Sequence, residues 1–344
     1  MHVLEAGDAS RPCLLLLHGF PELAWSWRKV MAPLAQAGFH VIAPDQRGYG
    51  RTTGWDGDYD GDLASYRLTN LVKDQKALLQ NLGIKSVAAV IGHDFGSPVA
   101  AWCALLHPEI FKSVALLSAP FAGPPATPVP PPDPVHDDLA ALARPRKHYQ
   151  WYYSTREADT DMLVCKQGLH SFLRAYYHVK SADWKPNRPR ELAAWSAPEL
   201  AEMPEYYIMA YGQNMPQTVA PHMPTPAQVA ACAWLSEDEL RVYSSEFARN
   251  GFQAALQWYR CRTTGKYNDD LAAHTGKRIG VPACFIAGAS DWGPYQRPGD
   301  LKKMRATALA DDRGCHFVDG AGHWVQQEQP AEVTRLLLEF LRRS

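Results

Sequence analysis

Five residues, Gly92-His93-Asp94-Phe95-Gly96, constrain this chain more than any other stretch. They follow an apolar run, Ser86-Val87-Ala88-Ala89-Val90-Ile91, and precede Ser97-Pro98-Val99-Ala100-Ala101-Trp102. That order predicts a buried strand, one sharp turn and a helix, with a polar side chain at the tip of the turn. Glycine on either side of the tip suits a strained turn whose backbone passes close to neighbouring strands.

The spacing resembles the G-x-Nu-x-G nucleophile elbow of α/β-hydrolases, with Asp94 in the nucleophile's place. A serine there attacks carbonyls and leaves a hydrolysable acyl-enzyme. At a saturated carbon it would leave an inert ether. A carboxylate has the opposite profile. With a reference pKa of about 3.9 it is ionised at neutral pH without a base. It displaces a leaving group from saturated carbon, and water then cleaves the resulting alkyl ester at the Asp carbonyl. Asp94 therefore points to epoxides or alkyl halides and away from ordinary esters. An aspartate in a turn also serves as a helix cap, so the rest of the chain has to carry the argument.

The 344 residues are 46% hydrophobic, enough for a sizeable core, and the net charge of -1 lacks a basic block that would suit nucleic acid. No apolar run approaches the roughly 18 residues of a membrane span, and Met1-His2-Val3-Leu4-Glu5 does not read as a signal peptide. Seven scattered cysteines without a C-x-x-C pair suggest reduced thiols and a cytoplasmic protein. Cys165, His170 and Cys232 lack metal-ligand spacing, so neither a metal nor a cofactor is expected. A monomer or homodimer is expected.

Apolar runs at 12–17, 39–43, 86–91 and 113–117 alternate with helical periods at 28–38, 71–82 and 97–106, which implies a parallel sheet covered on both faces. The rhythm breaks at the proline-dense stretch 123–132, a linker. From about 135 to 268 the chain is rich in Trp, Tyr, Met and His, with almost no β-branched runs, and reads as a helical insertion. Strands resume at 281–287 and 315–318, followed by a helix over 331–342. The expected organisation is an α/β core over 1–122, a helical cap over 123–270 and the rest of the core over 271–344. Only Met1 to Gly7 precede the first buried strand, so the expectation is an absent first edge strand or a truncated start.

A base that activates water should come late in the chain. His323, in Gly320-Ala321-Gly322-His323-Trp324 between the last strand and last helix, fits nucleophile–acid–base chain order. Asp291, after a strand's C-terminal end, is preferred to Asp319 as its orienting carboxylate. An oxyanion hole is expected from the N–H groups of Phe20, in the His18-Gly19-Phe20-Pro21 loop, and of Phe95. Pro21 fixes that loop, in cis or trans. An opening epoxide needs a proton donor, and tyrosine is protonated at neutral pH. Tyr149, Tyr152 and Tyr153 share one helix face near the start of the cap, and Tyr259 lies near its end; periodicity alone does not choose among the first three. A halide needs only N–H donors, which the side chain of Phe95 lacks.

With these pieces assembled, the chain resembles the epoxide hydrolases of α/β-hydrolase fold. The matching segments are His18-Gly19-Phe20-Pro21-Glu22 with Trp25-Ser26-Trp27-Arg28, Asp45-Gln46-Arg47-Gly48-Tyr49-Gly50, the Asp94 elbow, Gly251-Phe252 with Leu256-Gln257-Trp258-Tyr259-Arg260, and Gly322-His323-Trp324. The first loop and the Asp elbow are shared with haloalkane dehalogenases. The two cap tyrosines are the more specific sign. The resemblance implies a mostly parallel central sheet flanked by helices, with an inserted cap. It implies Asp94, Asp291 and His323 as a triad and Tyr149 and Tyr259 as the ring-opening pair. Pro21, Trp27, Gln150 and Trp292 would line the substrate, a small epoxide that reacts with water. The alternatives are a dehalogenase with the same nucleophile and a ligand-binding protein without turnover. The Pro- and Trp-rich segment 180–226 looks longer than in the family, so substrate identity does not carry over.

Overall fold

The computed structural model describes residues 1–126 and 133–344. Its strands are β1 (Val3–Ala6), β2 (Cys13–Leu17), β3 (His40–Pro44), β4 (Ala89–His93), β5 (Val114–Leu117), β6 (Arg146–His148), β7 (Ile208–Ala210), β8 (Ile279–Gly288) and β9 (Leu309–Val318). Seven of them form one sheet in the order β1-β3-β2-β4-β5-β8-β9. All neighbours run parallel except β1, which pairs antiparallel with β3 at the edge. The segment before β2 thus supplies an edge strand where none was expected.

The sheet is covered on both faces, and β2 shows why its sequence is apolar throughout. Leu14 and Leu16 point into one hydrophobic cluster with Trp27, Val30 and Leu337. Leu15 and Leu17 point into the other, with Phe20, Tyr149 and Tyr259. A strand buried on both sides has no polar alternation to show. The helices α1 (Arg28–Gln36), α2 (Leu68–Asn81) and α3 (Gly96–Leu106) follow the expected periods within a few residues. Regular pairing of β4 begins at Ala89 and runs through His93, later than the apolar run suggested, because Val87 makes only an isolated bridge to Phe111.

Between β5 and β8 the described residues add no strand to this sheet. They are mainly helical, as in Leu169–Lys180, Glu237–Asn250 and Gln253–Thr263. They also contain a two-stranded ribbon, β6 against β7, which the absence of β-branched runs concealed. Its strands are three residues each and pair across some sixty positions, so no local signal marks them. Most of the proline-rich linker, residues 127–132, lies outside the described residues.

Candidate active site

The five adjacent strands β2, β4, β5, β8 and β9 bring Phe20, Asp94, Ser118, Asp291 and His323 to one edge of the sheet. Asp94 adopts φ 50, a left-handed value unusual for a residue with a side chain. The neighbouring backbone leaves no alternative to the flanking glycines. A Cβ on Gly92 would lie 2.1 Å from the carbonyl oxygen of Gly96, and one on Gly96 would lie 2.2 Å from that of Leu17. The turn therefore needs small residues on both sides, and it aims Asp94 out of the sheet edge.

The Phe20 N–H donates to Asp94 Oδ1 at 2.9 Å. The second expected donor, the Phe95 N–H, is close by: a Cβ on Gly19 would lie 2.4 Å from Asp94 Oδ1 and 2.7 Å from Phe95 N. The Phe20–Pro21 peptide is cis, and the Pro21 carbonyl accepts from the Tyr177 hydroxyl at 3.0 Å.

His323 faces Asp94 from the opposite side, with Nε2 3.3 Å from Oδ2. Its Nδ1–H points at Asp291 Oδ1, 3.1 Å away. The rival Asp319 is exposed. Asp291 is itself held by the Gly293 N–H on Oδ1 at 2.7 Å and the Ser118 hydroxyl on Oδ2 at 2.6 Å. Ser118 Oγ also lies 2.9 Å from His323 Nδ1, and Ser118 has φ 69. With Nδ1 engaged by Asp291 and Ser118, Nε2 is the ring nitrogen that faces Asp94. Burial opposes ionisation of Asp94, but the hydrogen-bonding and charge of His323, with Lys180 and His93 behind it, outweigh that and hold the carboxyl well below its usual range.

Behind these groups lies a buried ion pair that was not among the expected site residues. His93 Nδ1 donates to Glu22 Oε2 at 2.6 Å, and His93 Nε2 donates to the His323 carbonyl at 2.6 Å. Both ring nitrogens thus face acceptors, which requires the imidazolium form. Gln326 and Gln327 donate to the other Glu22 oxygen at 2.9 and 3.1 Å. Burial disfavours both charges, but each partner outweighs it: His93 is raised and Glu22 lowered. Both residues lie inside recognised motifs, His18 to Glu22 and Gly92 to Gly96, which was the available signal. Ser118 had only its position after β5.

The expected phenols form an aromatic cluster with Phe20 and Phe95, the residue after Asp94. Tyr259 packs edge-on to Phe95 and Phe20, with ring centres 5.2 and 5.4 Å apart, and lies 6.0 Å from Tyr149. The Tyr149 hydroxyl donates to Gln296 Oε1 at 2.9 Å and accepts from Gln150 Nε2 at 3.1 Å. Burial, reinforced by the charge of Asp94, raises both phenols above their ordinary range, so both keep their protons at neutral pH. Of the residues that periodicity left open, Tyr152 packs on Tyr153 at 5.6 Å and commits its hydroxyl to Asp161 at 3.1 Å. Tyr153 belongs to the cluster, 5.0 Å from Tyr259, but is fully buried. Trp292, next to Asp291, is buried within the same hydrophobic cluster. Trp27 is a correction: it is completely buried on the other face of the sheet, packed with α1, and cannot line the substrate.

The family model for the α/β hydrolase fold matches residues 12–200. Epoxide hydrolase A of Mycobacterium tuberculosis is 33% identical over 347 residues, covering 99% of this chain and 94% of that protein. The solved structure of an epoxide hydrolase from an endophytic Streptomyces is 32% identical with a TM-score of 0.77, covering 99% of this chain and 91% of that one. Potato epoxide hydrolase I is 27% identical with a TM-score of 0.75, covering 100% and 96%. No described helix is long and apolar enough to cross a membrane. The sheet order, the aspartate at its elbow and these full-length similarities together establish that the chain belongs to the epoxide hydrolases of the α/β-hydrolase fold.

Proposed function

We propose that this enzyme converts an epoxide and water to a vicinal diol through an ester on Asp94. Asp94 Oδ2 bonds to an oxirane carbon as the ring C–O bond breaks and its electron pair moves to the ring oxygen. Tyr149 and Tyr259 hydrogen-bond that oxygen, and one gives it a proton. Oδ1, held by the Phe20 N–H with Phe95 nearby, becomes the ester carbonyl oxygen. His323, oriented by Asp291, takes a proton from water as that water attacks the Asp94 carbonyl carbon. The oxyanion collapses, the diol oxygen leaves with the proton from His323, and the acid proton of Asp94 returns to the phenolate. Pro21, Gln150 and Trp292 are the lining residues in this reading, and 123–270 is the cap over a core formed by 1–122 and 271–344.

The observation that carries this reading is the pair of contacts on one carboxylate: the Phe20 N–H at 2.9 Å from Oδ1 and the His323 base at 3.3 Å from Oδ2. Phe95 offers a halide no side-chain donor, and the two cap phenols suit an oxygen leaving group. Every group invoked comes from one chain, so a monomer or half of a homodimer would be complete. The free thiols at all seven cysteines support a cytoplasmic location. A single turnover in heavy-oxygen water should leave the diol unlabelled and put the label in Asp94. Label entering the diol directly would sink the covalent route.

A further inference from the structure

Lys180 has no part in the chemistry above, yet it contacts two of the groups that do, the ring of Tyr149 and the backbone of His323. It is the last residue of the helix Leu169–Lys180 and is 3% exposed. Its ammonium makes no direct ion pair among the described residues. Instead Nζ lies 4.9 Å from the ring centre of Tyr207, 5.2 Å from Tyr176, 5.6 Å from Trp324 and 5.9 Å from Tyr149. Its hydrogen bond is to the Tyr176 hydroxyl, at 3.4 Å. Aromatic faces hold a cation without neutralising it, so the field of this charge is not cancelled by a contacting carboxylate.

The backbone at the same position is tied to the base. The Lys180 carbonyl accepts the His323 N–H at 2.8 Å, and a Cβ on Gly322 would lie 2.5 Å from that oxygen. Glu328 accepts from the N–H groups of Ala182, Gly322 and Trp324 at 2.8 to 3.0 Å and joins the two segments a second time. The caged charge is thus held in fixed relation to the His323 loop. Charged or titratable groups face it from every side: Tyr176 on its own helix, Tyr149 and Tyr207 in the cap, and His323, Asp94, Asp291 and Glu22 in the core. Burial lowers its pKa, and the three carboxylates oppose that.

Charge at Asp94 changes twice in the proposed cycle. The resting carboxylate is negative, the alkyl ester neutral and the oxyanion of hydrolysis negative again. A nearby fixed positive charge lowers the oxyanion relative to the ester. In the alkylation step the negative charge passes to the ring oxygen beside Tyr149, whose ring also contacts Lys180, so less changes there. We propose that Lys180 is a positioning residue for ester hydrolysis, its caged ammonium favouring the oxyanion that forms on Asp94. The proposal rests on the covalent route proposed above.

The test is rapid-quench and stopped-flow kinetics with styrene oxide on the full chain, comparing wild type, Lys180→Met and Lys180→Arg. Methionine keeps an apolar stem against the rings and removes the charge. Lys180→Met should hydrolyse the ester about tenfold more slowly, as expected for losing a charge several ångströms from an oxyanion. Alkylation should change far less, so the ester accumulates and kcat and KM fall together. Lys180→Arg should recover most of the hydrolysis rate. Wild-type kcat should also fall at alkaline pH as the ammonium deprotonates, and that limb should vanish in Lys180→Met. An unchanged hydrolysis rate, an alkaline limb that persists, or equal slowing of both steps that Arg does not rescue would each overturn the proposal. If the Met variant does not fold, Lys180→Gln is read the same way. If neither variant folds, a wild-type kcat flat to about pH 10, near the lysine reference value, overturns it. Label appearing directly in the wild-type diol would instead overturn the covalent route itself.

Discussion

The two halves of this site are built by different means. On the sheet side, Phe20, Asp94, Ser118, Asp291 and His323 stand just beyond strand ends, and backbone contacts too close for any Cβ on Gly92 or Gly96 fix the elbow. On the cap side, Tyr149 and Tyr259 stand on helices and are positioned by ring packing. Hydrogen-bonded strands tolerate little displacement. Packed aromatic rings hold position less tightly and leave room for different substrates. On the proposed mechanism, ester formation and hydrolysis fall to the rigid half, and protonation of the ring oxygen, whose position depends on substrate shape, to the adaptable half.

The largest effect expected from breaking this contrast is at Asp94. Asp94→Ala should abolish turnover, and His323→Gln should still alkylate but trap the ester, seen as a mass increase of the intact protein equal to one epoxide. Trapping by Asp94→Ala would refute the nucleophile assignment. Next come the phenols. Tyr149→Phe and Tyr259→Phe should each slow alkylation by about a hundredfold or more, and the double variant should stop it. Tyr153→Phe should change alkylation far less, because its ring packs beneath the pair. A Tyr153 effect equal to that of Tyr149 would move the assignment by one helical turn.

The elbow, the His323 loop and Asp291 were legible in the sequence because each is a short contiguous motif or lies at a strand end. The parallel sheet was legible because strands buried on both faces are continuous apolar runs, as in Leu14 to Leu17. Ser118 left no such mark: its role depends on β5 lying beside β8, a pairing across the whole inserted segment. Lys180 was invisible for a related reason. A lysine at a helix end reads as solvent-exposed, and only the return of the chain through Tyr207 and Trp324 encloses it. Trp27 was misread because its motif neighbours Pro21 and Glu22, and one turn of chain is enough to carry it to the other face of the sheet.

The last prediction is read in stability, and it tests whether the rigid half depends on its buried ion pair. Stability from His93 is complete below its ordinary value of 6.5 and is lost as pH rises through its raised one. That from Glu22 is complete above its ordinary value of 4.5 and is lost as pH falls through its lowered one. Glu22→Gln should therefore lower Tm most between about pH 4.5 and 6.5, by the equivalent of about 3 kcal/mol or more, and less on either side. A Tm difference that stays constant with pH would mean that the pair is not charged.

The pairing of β5 with β8 has a consequence for synthesis. The half-sheet that ends at β5 leaves the ribosome carrying Asp94 long before the strands that precede Asp291 and His323 exist. On the proposed mechanism, a nascent chain released before β8 would carry Asp94 without the two residues proposed to regenerate it. On the proposed mechanism, turnover therefore waits for β8 and β9, and the helix Pro330–Leu341 leaves the ribosome after every group that mechanism invokes.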